Sequence, residues 1–214
     1  VAELAEVVHH HGARLHVDAV QALGKLDLTD LRGADALTVC AHKIRGPKGI
    51  GALAWRPGAA PLPLVRGGSQ ERGYRPGSQD AALAAGFRAA VEGIDVAGHS
   101  RLEPLRDRLE RSLTRCGQVN GARTGRVSHV SNVSVDGWRS DELVAALDLR
   151  GVCISAGSAC SAGTLEPSPV ITGMLGLDRA ARAVRISIGV STSVADVETA
   201  LLVLESVLGL PPSN

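Results

Sequence analysis

Cys40-Ala41-His42-Lys43-Ile44-Arg45-Gly46-Pro47-Lys48-Gly49-Ile50-Gly51 sets one lysine between an apolar run and a glycine-rich loop. Upstream, Asp35-Ala36-Leu37-Thr38-Val39 is short and apolar enough for a buried strand. Downstream, the glycines and Pro47 interrupt any helix and let backbone approach a ligand closely. A lysine held at a strand end and partly desolvated becomes an amine nucleophile toward carbonyls, a Schiff-base lysine. A solvated loop cation is the ordinary alternative for a lysine taken alone.

A second segment, Arg14-Leu15-His16-Val17-Asp18-Ala19-Val20-Gln21, places an acid at the end of another apolar strand. Together, H-V-D-A-x-Q and A-H-K-x-x-G-P-K-G-x-G-A-L resemble the cofactor site of the cysteine desulfurases, within the class V aminotransferase family. The resemblance implies pyridoxal 5'-phosphate, with Lys43 as its Schiff-base lysine and Asp18 against the pyridine nitrogen, keeping the ring an electron sink. It further implies Gln21 at the phenolic oxygen and His42 beside the phosphate. Cys40 stands where the family usually has a phosphate-binding serine, and a thiol donates a weaker hydrogen bond.

The bulk properties narrow the field. The 214 residues are 44% hydrophobic and 21% charged, with 23 basic against 22 acidic side chains, so no global field attracts nucleic acid or an acidic membrane. Aromatics at 2% leave no stacking platform for bases. No apolar run reaches the roughly 18 residues of a membrane span. The four cysteines, Cys40, Cys116, Cys153 and Cys160, lack metal-type spacing and read as reduced thiols, so a cytoplasmic protein is expected. The chain opens on Val1 within a helical pattern. With the resemblance confined to the family's C-terminal half, this leads us to expect a fragment or one piece of a divided protein.

The pattern predicts an α/β fold, with a largely parallel sheet under helices over residues 1–95 and a small α/β domain over 96–214. By resemblance these are the C-terminal part of the large domain of a fold-type I pyridoxal phosphate enzyme and its small domain. In the first, a helix over 2–11 precedes strands at 14–18, 35–41 and 50–55; His9, His10 and His11 read as solvated. Residues 79–115 read as one long helix, or two with a break near 93–98. The second domain reads strand 128–135, helix 140–150 with Ser140 as its cap, strand 152–156, helix 168–175, strand 184–188 and helix 194–208.

Three further motifs complete the reading. Gly67-Gly68-Ser69-Gln70-Glu71-Arg72-Gly73-Tyr74-Arg75-Pro76-Gly77-Ser78 suits an anion-binding or an ordinary surface loop equally. Its likeness to the desulfurase segment that reaches a neighbouring subunit's phosphate implies that role for Ser78, and hence a homodimer. Ser155-Ala156-Gly157-Ser158-Ala159-Cys160-Ser161-Ala162-Gly163-Thr164-Leu165-Glu166-Pro167-Ser168 is too small and polar for a core, so Cys160 is expected on an exposed, mobile loop. It resembles the active-site loop of the long-loop desulfurases, in which the cysteine takes up sulfur as a persulfide; Cys116 and Cys153 read as structural. Arg185, alone in Ala183-Val184-Arg185-Ile186-Ser187-Ile188-Gly189, requires an anion, either a salt-bridge partner or, as the resemblance implies, a substrate α-carboxylate. Asn132 matches a family asparagine and is read as serving the fold.

The expected reaction is L-cysteine to L-alanine with a persulfide on Cys160, passed to sulfur-acceptor or scaffold proteins of iron-sulfur cluster assembly or of tRNA or DNA thiolation. The open alternatives are a selenocysteine lyase or other class V enzyme, and a non-catalytic piece that needs an N-terminal partner half. No membrane or direct nucleic-acid partner is expected.

Overall fold

The computed structural model describes residues 1–121, 125–157 and 166–212. It divides into two units, Val1–Val96 and Ala97–Asn214. In the first, helix α1 (Ala2–His10) leads to β1 (His16–Asp18), β2 (Ala36–Cys40) and β3 (Gly51–Trp55), followed by α2 (Ala81–Glu92). The sheet order is β1-β2-β3. β1 and β2 pair in parallel, with Asp18 opposite Thr38. Seventeen intervening residues, including a 3₁₀ turn at Leu28–Leu31 capped by Asp27, make that crossover possible.

At β3 the sheet departs from the expected parallel arrangement. β3 returns antiparallel to β2, with Cys40 opposite Gly51, because the link is only the 3₁₀ turn Ala41–Ile44 and a short loop, too little chain for a crossover. That return hairpin is what holds the Lys43 turn in place. Ala41 N–H donates to the Ile50 carbonyl at 3.2 Å and Gly46 N–H to the Ala41 carbonyl at 2.9 Å. A Cβ on Gly46 would meet the Ala90 methyl at 3.0 Å, and one on Gly86 would meet Pro47 Cγ at 2.9 Å. Helix α2, capped by Asp80 accepting from Leu83 N–H, therefore seats on the loop through two glycines.

The second unit contains α4 (Glu103–Leu113), β4 (Gly117–Val119), β5 (Val130–Val135), α5 (Ser140–Asp148), β6 (Ser155–Ala156), α6 (Pro169–Leu175), α7 (Leu177–Ala181), β7 (Ala183–Ser187) and α8 (Val194–Leu208), with α3 (Val96–Ser100) at its start. The stretch 79–115, expected as one long helix or two with a break near 93–98, is three helices, α2 to α4, with breaks after Glu92 and Ser100. The sheet order β4-β5-β7-β6 is antiparallel throughout. Val133, Val135, Val184 and Ile186 pack with Leu109, Leu113, Leu143, Leu147, Val197, Leu201 and Leu204 into one core. Alternation along the strands sends their neighbours to the opposite face. β4 and α7 carried too little pattern to be anticipated. The α5 cap also differs: Arg139 is the N-cap, its N–H bonded to Glu142 at 3.2 Å, and Ser140 is the first helical residue.

Candidate active site

The parallel pairing of β1 and β2 brings two chain-distant segments to one sheet edge. Asp18 ends β1 beside Thr38, two residues before Cys40 ends β2. His42 and Lys43, both exposed, follow on the 3₁₀ turn. Carboxyl ends of adjacent parallel strands are where α/β sheets bind ligands. Asp18 Oδ1 accepts from Val20 N–H at 3.0 Å, so the carboxylate is oriented by its own backbone. Cys40 Sγ lies 3.9 Å from His42 Nε2, and Arg45 closes the turn in the left-handed region at φ 70°.

Gln21 joins this cluster in company the sequence did not reveal. Its Oε1 accepts a hydrogen bond from Lys25 Nζ. Gly24 at φ 74° would place a Cβ 3.1 Å from Ile44, the neighbour of Lys43, so the Lys25 turn packs on the Lys43 turn. Burial, then the Lys43 ammonium, push Lys25 below the ordinary lysine range, with Cys40 acting the opposite way. A lysine can only donate, so the amide atom facing Lys25 must be oxygen, and Gln21 Nε2 is left as a donor. The four-residue step from Gln21 to Lys25 was the available signal. His9 is exposed, as expected, and in addition its Nε2 bonds Asp35 Oδ2 at 2.8 Å, a partner 26 residues away that the sequence did not reveal.

The remaining site residues lie elsewhere. Ser78 is exposed on the loop after the 3₁₀ turn Gln70–Gly73. In that turn Glu71 and Arg72 take φ 48° and 57°, a conformation side chains disfavour. Arg185 belongs to the second unit, on β7 opposite Asn132 of β5 and Ser155 of β6. Its Nη2 reaches Ser155 Oγ at 3.4 Å, and its Nε is buried without a hydrogen-bond partner among the described residues. Cys160 lies outside the described residues.

The other thiols are poorly suited to attack. Burial, then Asp136, raise the Cys116 thiol above its usual range. Cys153, expected on an apolar strand, is exposed, and the Asp148 carboxylate raises it by hydrogen bond and charge. Both are biased against the thiolate, the form that reacts. Among the described residues no cluster of His, Cys, Asp and Glu could hold a metal ion, and no helix is long and apolar enough to cross a membrane.

An amine, an acid, an amide donor and an imidazole thus lie at the carboxyl ends of two parallel strands on an α/β scaffold. The model of the class-V aminotransferases matches residues 1–200, and the chain belongs to that family. It is 40% identical over 211 residues to a cysteine desulfurase of Cereibacter sphaeroides, covering 96% of this chain and 54% of that one. It is 39% identical to an IscS-like cysteine desulfurase of Mycobacterium tuberculosis, covering 95% and 54%. Among solved structures, a NifS-like protein from Rickettsia africae superposes with a TM-score of 0.83 at 25% identity, over 98% of this chain and 57% of that one. DndA from Streptomyces lividans superposes at 0.69 with 30% identity, over 87% and 55%. The chain spans about half the length of the curated relatives it matches.

The donor set fits pyridoxal 5'-phosphate. Lys43 offers the amine, Asp18 an anion for a protonated ring nitrogen, Gln21 Nε2 a free donor, and His42 with Cys40 two groups for phosphate.

Proposed function

We propose that the chain is the C-terminal part of a pyridoxal 5'-phosphate-dependent cysteine desulfurase, converting L-cysteine to L-alanine and leaving the sulfur as a persulfide. The observation that supports this best is the convergence of Asp18, Gln21 and Lys43 at the carboxyl ends of two parallel strands. Residues 1–95 would carry the cofactor groups and 96–214 the thiol and the carboxylate clamp. Bound pyridoxal 5'-phosphate supplies an electron sink for the substrate carbon.

Each residue then has a defined task. Asp18 holds a proton at the ring nitrogen by charge. Lys43, exposed on its short turn, moves protons at the substrate carbon. Arg185 orients the α-carboxylate. The Cys160 thiolate attacks the cysteine sulfur: an S–S bond forms, the Cβ–S bond breaks with its electron pair going to carbon, and protonation there yields alanine. The persulfide passes to a sulfur-acceptor protein. Ser78 would reach the phosphate of a second subunit, making the working form a homodimer. The solved structure of SspA in complex with cysteine, 31% identical with a TM-score of 0.67, supports cysteine as the substrate.

The test uses this chain and any longer polypeptide containing it, with pyridoxal 5'-phosphate added. A visible absorbance band that disappears in Lys43→Ala is the expected result, and a colourless wild type overturns the reading. Cys160→Ala should abolish sulfur transfer while the band persists. Sulfide release at the wild-type rate would remove Cys160 from its role.

A further inference from the structure

The sheet of the second unit has one apolar and one polar face. Val133 and Val184, register partners, point into the helix-covered core, as does Ile186. The alternate positions put Asn132 directly across from Arg185, with Ser155 on the far side of Arg185. Partners in an antiparallel pair share a face with their Cβ atoms about 5 Å apart. Asn132 and Arg185 are thus side by side on the surface turned away from the core.

A chain of donors fixes which way Asn132 presents its amide. Arg179, which has no acceptor, donates from Nε to Asn120 Oδ1 at 2.7 Å and from Nη2 to the Val119 carbonyl at 2.6 Å. The Asn120 oxygen is thereby identified. Asn120 Nδ2 in turn donates to Asn132 Oδ1 at 2.7 Å and to Ser134 Oγ at 2.8 Å. Ser134 Oγ closes the circuit on the Arg179 carbonyl at 2.7 Å. Because an arginine can only donate, the orientation of both amides follows from chemistry. Asn132 spends its oxygen toward β4, which leaves Nδ2 as a donor on the side of β7, whose Arg185 is its register partner and has a buried Nε with no partner among the described residues.

Arg185 Nε, cationic and desolvated, lacks an acceptor among the described residues, and Asn132 supplies a second donor on the same face of the sheet. An anion would complete such a pair. We propose that Asn132 is a second binding residue for the substrate carboxylate, its Nδ2 and the Arg185 guanidinium each holding one oxygen, with Asn120 and Arg179 as positioning residues. The inference rests on the reading of Arg185 as the carboxylate clamp. It assigns Asn132 a binding role in place of the purely structural one its position in the motif suggested. A carboxylate gripped by two strands of one sheet is held in a fixed orientation, so the geometry also favours carboxylates over ligands with a single anionic oxygen.

Acetate is the probe, followed by NMR on the ¹⁵N-labelled protein, with chloride at matched ionic strength as control. The Arg185 Nε–H resonance and the Asn132 side-chain amide should shift together, with one midpoint, on adding acetate but not chloride. Asn132→Ala should weaken acetate about tenfold. Asn132→Asp, which places a carboxylate beside Arg185, should hold the Arg185 resonance near its acetate-shifted position and leave it unresponsive. An Arg185 resonance that ignores acetate in the wild type overturns the clamp and Asn132 with it. Should Arg185 respond while the Asn132 amide stays put, or while Asn132→Ala binds equally well, only the role of Asn132 is overturned. The wild-type pair of resonances decides the matter even if a variant fails to fold.

Discussion

Single side chains here take their character from partners that the chain brings from afar. Asp35 accepts from Leu15 N–H at 2.7 Å and from His9 Nε2 at 2.8 Å, and these two bonds, the backbone one first, hold its carboxyl below the usual range. A depressed carboxylate stabilises the fold above its unfolded value, and that stability is lost as pH falls through the folded value. Asp35→Asn should therefore melt below wild type at neutral pH, and the gap should close below about pH 4, as thermal scans across pH would show. Cys40 gives a second test. Its thiol lies on the sheet edge beside His42, and a hydroxyl is the better phosphate donor. Cys40→Ser should tighten pyridoxal 5'-phosphate binding about fivefold, measured by titrating the absorbance band. Looser binding in that variant would show that Cys40 does not face phosphate.

At the scale of elements, pattern predicts existence better than extent or direction. α8 runs over the predicted 194–208, closed by Ser193 accepting from Asp196 N–H and by Gly209 in the left-handed region, because caps and a fifteen-residue apolar stripe are local signals. Strand 152–156 shrinks to two residues, since only Ser155 and Ala156 find partners on β7, and pairing is not a local property. β3 runs antiparallel for a reason of length alone. The helices are held by their buried leucines: Leu147 on α5 is fully buried against the sheet and α8. Leu147→Ala should lower stability by about 2–5 kcal/mol, read from the shift of a urea unfolding curve. A shift under about 1 kcal/mol would mean that the site collapses to fill the cavity.

Across the whole molecule the two units differ in how much apolar surface they bury. The second has a continuous core of leucines and valines between sheet and helices. In the first, the buried apolar residues among those described are four alanines, Ala5, Ala19, Ala34 and Ala41, and three leucines, Leu15, Leu23 and Leu31, while Leu62 and Leu64 are 88% and 99% exposed. Burial of large side chains is the main favourable term in folding, so residues 97–212 expressed alone should melt cooperatively and residues 1–96 alone should not. Circular dichroism melts of the two pieces check this. A sharp transition in 1–96 would contradict the accounting of its core.

The motifs around Asp18, Lys43 and Arg185, the α/β class and most helix positions were legible in the sequence, because each rests on neighbours within a few residues. The direction of β3 and the grip of Lys25 on Gln21 rest on short local stretches, whereas the His9–Asp35 bond and the placing of Asn132 beside Arg185 were decided only by tertiary structure. These depend on strand register and on which donors have been consumed by groups as many as 59 residues away, as with Arg179 and Asn120. A one-residue change of register would turn Asn132 or Arg185 to the other face of the sheet, and no local pattern records that choice.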